Sequence, residues 1–246
     1  MKYLIVNADD YGASGGINRG IIEAHQRGIL TSASLLVAAQ GAGEAAALSR
    51  TAPNLSVGLH ADVRKELEEP AADAQSLTES LRRQFSRFEQ LMHRRPTHID
   101  SHHNVHRDPR ALPLFLELAR EYGMPLREHS PVRYFSRFYG QWGGKTHLEQ
   151  ISVESLARML QTEIADSVTE LSCHPGHVDT EYPTGYSLER EAELRTLCDP
   201  RVREALEEHG FQLISYHHLP LLLANATTSC GNPLPTVRPP SSHVLP

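Results

Sequence analysis

Lysine is nearly missing from this chain: Lys2, Lys65 and Lys145 are the only ones among 246 residues. Arginine carries most of the positive charge and acidic residues outweigh it, so the formal net charge is -6 and no basic stripe stands out. Nucleic acid is therefore not expected as a partner, because a phosphate backbone is held by clustered cations. Cysteine is equally scarce. Cys173, Cys198 and Cys230 form neither a paired framework nor a CxxC motif, which excludes a disulfide scaffold and points to a reduced compartment. No apolar run approaches membrane-spanning length. The apolar start is interrupted at Asn7 and Asp9 before a signal-peptide core forms, so a cytoplasmic protein with no membrane partner is expected. Glycine-rich phosphate loops, GxGxxG or GxxxxGK followed by Ser or Thr, are absent as well. So are internal repeats and any linker between two cores.

What is present is an ordinary globular composition, 39% hydrophobic and 22% charged, in a chain long enough for one large α/β domain. Tyr3-Leu4-Ile5-Val6 opens as a buried strand. Helical spacing follows from Ile17 to Arg27 and is closed by Gly28. Further strands read at 30–38, 55–60, 96–103, 124–128, 168–173 and 211–216. Helices read at 42–49, 77–93, 109–122, 152–164, 187–197 and 200–209. Residues 61–74 read as a polar surface loop, and 132–147 as an aromatic, glycine-bearing segment. Strands alternating with helices imply a parallel sheet with helices packed outside it. Six to eight such units suit a single distorted (β/α) TIM-like barrel over 1–224 better than a doubly wound sheet. From 225 to 246 the chain turns proline-rich and reads as a tail.

The polar residues collect where predicted strands end: Asp9-Asp10, His60, His102-His103 and His174. One Asp before a helix is a common cap, and one histidine is commonly structural. Two adjacent carboxylates are different, since they repel unless a cation or a shared proton lies between them. In a parallel barrel all these strand ends meet at one mouth, where the sites of such folds lie. One carboxylate and two imidazoles suit a divalent ion such as Zn²⁺, Mn²⁺ or Fe²⁺, with positions left open for water and substrate. The other carboxylate is then free to act as a base. Strand alternation puts His98, Asp100 and His102 on one side, which predicts Asp100 beneath His102 as the acceptor that orients its ring. His106 is expected as a reserve ligand or a substrate contact.

Four motifs carry a family resemblance: Asn7-Ala8-Asp9-Asp10-Tyr11-Gly12, Val57-Gly58-Leu59-His60, the run from Pro96 through His102-His103-Asn104 to His106, and Cys173-His174-Pro175. Together they resemble the YdjC-like carbohydrate deacetylases. The resemblance implies a distorted barrel, one divalent ion (Mg²⁺ or Zn²⁺, with Mn²⁺ a further candidate) and hydrolysis of an N-acetyl group from a small amino sugar. It also implies Asp10, His60 and His102 as the metal ligands. On that frame Asp9 is the expected general base and His174 the acid that protonates the leaving amine, with His177 its alternative. Of the rings in the aromatic segment, Tyr134, Phe135, Phe138, Tyr139 and Trp142, most are expected to pack and one or two to stack on the sugar. Trp142 is taken as a substrate-binding candidate. A metal-dependent phosphoesterase and a non-catalytic sugar-binding protein are the rival readings, and self-association is left open.

Overall fold

The computed structural model describes residues 2–69, 73–164, 168–179, 182 and 184–229, the side chains of 225–229 excepted. The elements in chain order are β1 (Lys2–Tyr11), α1 (Gly15–Arg27), β2 (Ser32–Leu35), α2 (Ala42–Ser49) and β3 (Ser56–Ala61). Then come α3 (Arg64–Glu68), α4 (Ala74–Met92), β4 (Ile99–Ser101), a 3₁₀ turn (His102–Arg107) and α5 (Leu112–Tyr122). They are followed by β5 (Arg133–Phe135), β6 (Gln141–Trp142), β7 (Lys145–Thr146), α6 (Val153–Thr162) and β8 (Val168–Cys173). Last are α7 (Ser187–Cys198), α8 (Pro200–Glu208), β9 (Phe211–Leu213) and α9 (Leu219–Ser229).

The main sheet runs in the order β4-β3-β2-β1-β8-β5, and β9 joins the start of β1. Every pairing in it is parallel. Period-two alternation sorts its two faces. Leu4, Val6, Ala8, Ala33, Leu35, Val57, Leu59 and Leu171 point outward and join Ile17, Ile21, Phe85, Phe88 and Phe115 of the helices in the main core. The inner face is polar: Asn7, Asp9, Ser32, Ser34, Ser56, His60, Asp100 and Glu170 are all buried there. Buried polar groups are usually paired, and most of these are, Asn7 Oδ1 being an exception. Asn7 Nδ2 donates to Ser34 Oγ at 2.9 Å, Ser34 Oγ to Asp100 Oδ2 at 2.6 Å, and Ser56 Oγ to Ser32 Oγ at 2.9 Å. Among the described residues, a second apolar cluster of Ile5, Val132, Ile214, Tyr216 and Leu219 closes the lower end of the interior.

The sheet ends at β4 and β5, so the barrel is open on one side. The expected strand at 124–128 reduces to a single bridge, Ile99 to Leu126. Pro125 brings no N–H to a ladder, and Glu128, at φ 64°, turns the chain away. The sequence-predicted strand at 96–103 also stops early, at Ser101, because His103 and Asn104 take left-handed φ values of 52° and 54°. Residues 61–74 are not all loop, since α3 lies within them. The closing strand ends at Leu213, and α9 carries past position 225 to Ser229. The rest of the expected tail, 230–246, lies outside the described residues.

Gly58 marks the tightest packing inside the sheet. A Cβ there would overlap the His98 ring, which stacks on Tyr216 with centroids 3.9 Å apart and bonds Ser34 Oγ at 3.0 Å. Gly58→Ala is therefore expected to cost about 1–3 kcal/mol, the usual range for overpacking. Chemical denaturation checks it: the midpoint should fall, and adding His98→Ala should recover part of the loss.

Candidate active site

In a regular strand Asp9 and Asp10 would point to opposite faces. They do not, because β1 carries a bulge: its pairing with β2 jumps from Ala8–Ala33 to Tyr11–Leu35, three residues against two. Asp10 takes up the extra residue at φ 65°, a conformation that Asp tolerates better than most side chains. Neither carboxylate caps α1. That role belongs to Ser14, whose Oγ accepts from Ile17 N. Both carboxylates instead line a cavity of about 540 Å³ at the carboxyl ends of the strands, with His60, His102, His103 and His174.

Asp10, His60 and His102 form one compact group there, their ligand atoms all within 4.8 Å of one another. Asp10 Oδ1 lies 3.0 Å from His102 Nδ1 and 3.5 Å from His60 Nε2. Metal–ligand bonds of about 2.1 Å place neighbouring ligand atoms roughly 3 to 3.5 Å apart, so the spacing fits a divalent cation. The tautomer fits too. His60 Nδ1 donates to Asp100 Oδ1 at 2.7 Å, which leaves the Nε2 lone pair for a ligand. Asp100 thus orients His60, not His102 as strand alternation predicted, because the chain leaves the sheet at His102.

The electrostatics favour positive charge at this spot. Burial opposes a charge on His60, yet the carboxylates of Asp100, Asp9 and Asp10 overcome it and push the ring up to about 10. Burial likewise opposes ionisation of Asp10, but His102, His60 and Arg190 hold its carboxyl well below the usual range. A cation entering the group takes the place of the His60 proton.

Asp9 is held differently. Arg127, fully buried, grips it with both nitrogens: Nη1 donates to Oδ2 at 2.9 Å and Nη2 to Oδ1 at 2.7 Å. The same guanidinium reaches Glu170 Oε1 at 2.6 Å and Asp100 Oδ2 at 2.7 Å. Asn7 Nδ2 donates to Asp9 Oδ1 at 3.0 Å. The second cluster with ligand potential, Asp9, His60 and Asp100, is therefore already occupied by Arg127. His174 Nε2 lies 3.9 Å from Asp9 Oδ2, while its Nδ1 is buried without a partner. Burial drives His174 down to about 4, with Asp9 and Asp10 only partly offsetting it.

Three sequence-predicted residues stand elsewhere. His106 is buried behind the site, bonded to Ser101 Oγ at 2.6 Å and Glu128 Oε2 at 3.2 Å. His177 pairs with Glu23 at 3.0 Å outside the cavity. Trp142 lies flat on His147, 3.6 Å between centroids, and does not line the cavity. Conversely, Arg127 and Arg190 escaped the sequence reading. Arg190 Nη2 donates to Asp10 Oδ2 at 2.5 Å, leaving Oδ1 to face the histidines. Arg127 lies within the expected strand at 124–128, and its rarity as a buried arginine only appears in three dimensions. Glu193 was also missed. It accepts the His174 backbone N–H and the Tyr186 hydroxyl, and burial raises its carboxyl to about 8.

Residues 3–208 match the family described as YdjC-like protein. A chitooligosaccharide deacetylase from Serratia marcescens is 36% identical over 255 residues, covering 89% of this chain and 99% of its own. A carbohydrate deacetylase from Geobacillus stearothermophilus is 36% identical over 248 residues, covering 87% of this chain and 97% of its own. Among solved structures, an Enterococcus faecalis protein proposed to cleave cellobiose phosphate superposes with a TM-score of 0.77 at 30% identity, over 89% of this chain and 98% of its own. A family 4 carbohydrate esterase from Streptomyces lividans shares the fold, with a TM-score of 0.56 at 15% identity over 87% of this chain and 91% of its own. With the family pattern met over most of its length, and relatives at this identity spanning it, the chain belongs to the YdjC-like family.

Proposed function

We propose that the chain is a metal-dependent carbohydrate deacetylase that hydrolyses the N-acetyl group of an amino sugar. One observation carries the reading: a carboxylate with no ligand duty, Asp9, and an imidazole, His174, share a cavity with the Asp10–His60–His102 group. The names of the two relatives, chitooligosaccharide deacetylase and carbohydrate deacetylase, support the substrate class. An Asp/His/His donor set suits Zn²⁺, Mg²⁺ or Mn²⁺, and we assign a single ion, since the neighbouring carboxylates are tied to Arg127. That count favours deacetylation over a two-metal phosphoesterase. The free thiols of Cys173 and Cys198 support a cytoplasmic setting, and among the described residues no helix is long and apolar enough to cross a membrane.

A divalent ion bound there supplies a Lewis acid for the acetyl carbonyl and makes water more acidic. The protein's own part is proton handling. Asp9 Oδ1 accepts from both Asn7 and Arg127, whereas Oδ2 accepts from Arg127 Nη1 and faces His174, so Oδ2 is the oxygen that takes a proton from the attacking water. The water oxygen bonds the acetyl carbon, the C–N bond breaks, and its electron pair stays on nitrogen. An amine leaves poorly unless it is protonated. His174 stands beside Asp9 to relay that proton, and a ring whose burial disfavours charge gives it up readily. Acetate and a free amino sugar result. Arg127 holds the Asp9 carboxylate in place through both oxygens.

Two measurements test the assignment. Asp9→Asn should keep its metal, by elemental analysis after dialysis, while acetate release from N-acetylated sugars falls on the order of 10² to 10⁴. Asp10→Asn, His60→Ala and His102→Ala should each lose most of the metal. Near-normal turnover in metal-loaded Asp9→Asn sinks its role as base. His174→Ala should cripple amide hydrolysis yet spare an activated acetate ester, whose leaving group needs no proton; equal loss on both substrates points to folding or metal binding instead.

A further inference from the structure

We propose that Tyr139 is the platform on which the pyranose ring of the substrate stacks and so a substrate-positioning residue of the cavity. The proposal rests on the deacetylase reading above and adds how the sugar is held. Seven large hydrophobic side chains are markedly exposed among the described residues, and Tyr139, at 38%, is the one of them that lines the cavity. An exposed aromatic at a site usually has a ligand to cover.

The ring is held from behind. Tyr139 stacks on Tyr186 with centroids 4.6 Å apart and planes 8° from parallel. The Tyr186 hydroxyl is pinned in turn, donating to the buried carboxyl of Glu193 at 2.6 Å and accepting from Gly140 N at 2.7 Å. Gly140 follows Tyr139 directly and is packed against Ile151, where a Cβ would come within 2.7 Å of Cδ1. The hairpin of β6 and β7 that continues the segment is tied to α7 through Thr146 Oγ1 and Glu189 Oε1 at 2.5 Å. An aromatic fixed before the ligand arrives loses little entropy on binding.

Its position suits the chemistry. The His174 ring stands edge-on to Tyr139 and Tyr186, with both centroid distances 5.6 Å. A pyranose laid with its axial C–H bonds on Tyr139 therefore has its acetamido group beside the residue that protonates the amine. Trp142, by contrast, lies outside the cavity, stacked on His147.

The test uses the metal-loaded full chain with an N-acetylglucosamine disaccharide and an activated acetate ester that carries no sugar. Tyr139→Ala should raise KM for the disaccharide about tenfold, the equivalent of one stacking contact of about 1.4 kcal/mol. Its kcat, metal content and ester hydrolysis should stay near wild type. Tyr139→Phe should behave as wild type, and so should Trp142→Ala. An unchanged KM in Tyr139→Ala, a raised KM in Trp142→Ala, or a loss on sugar and ester alike overturns the platform. Calorimetric binding of the disaccharide is measured alongside. Binding that Tyr139→Ala abolishes, with no acetate released even by wild type, refutes the deacetylase reading and leaves the platform standing.

Discussion

Everything at the mouth depends on one buried guanidinium. Arg127 holds carboxylates from three strands, Asp9 of β1, Asp100 of β4 and Glu170 of β8, although its own chain segment belongs to no strand. It thereby draws the open edges of the sheet toward one another and substitutes for the missing ladder between β4 and β5. One cation among three carboxylates leaves the set negative. Tyr216 relieves part of this by donating to Glu170 Oε2 at 2.7 Å, and burial raises the Glu170 carboxyl above its ordinary range. The remaining negative potential falls on His60, through Asp100 and Asp9. A cation at the Asp10–His60–His102 group completes that balance. Removing one partner from such a buried set strands a charge, which typically costs about 3–5 kcal/mol.

The bulge at Asp10 is the second constraint, and it depends on the first. Two adjacent carboxylates can share one face of a strand only if the backbone breaks its alternation, and each then needs its own counter-charge. Arg127 serves Asp9, and Arg190 serves Asp10 from α7. The left-handed residues His103 and Asn104 do similar work on β4, turning His102 out of the sheet and toward Asp10. Backbone strain of this kind is kept where surrounding contacts over-determine it.

A sheet with a polar interior draws its apolar burial from its outer face. The main core lies between the strands and the helices, so the inner face is free to carry serines, carboxylates and histidines. That division of labour explains why small residues recur inside: Ser32, Ser34, Ser56 and Gly58 leave room for the large polar side chains that form the site.

Local pattern alone was sufficient for much of this. Period-two and helical spacing placed β1, β8 and most helices within a residue or two, and chemistry at strand ends picked out Asp9, Asp10, His60, His102 and His174 as neighbours. Those residues are legible because strand direction in a parallel sheet carries their side chains to a common end. What local pattern does not carry is pairing between distant side chains. Asp100 serves His60 because β3 and β4 lie side by side in register, and His106, His177 and Trp142 each found a partner that kept it out of the cavity. Arg127, Arg190 and Glu193 were indistinguishable in sequence from solvated charges, because burial is a property of the packed chain. Sequence determined which chemistry reaches the mouth; tertiary packing decided which charge faces which, since those interactions act across space and not along the backbone.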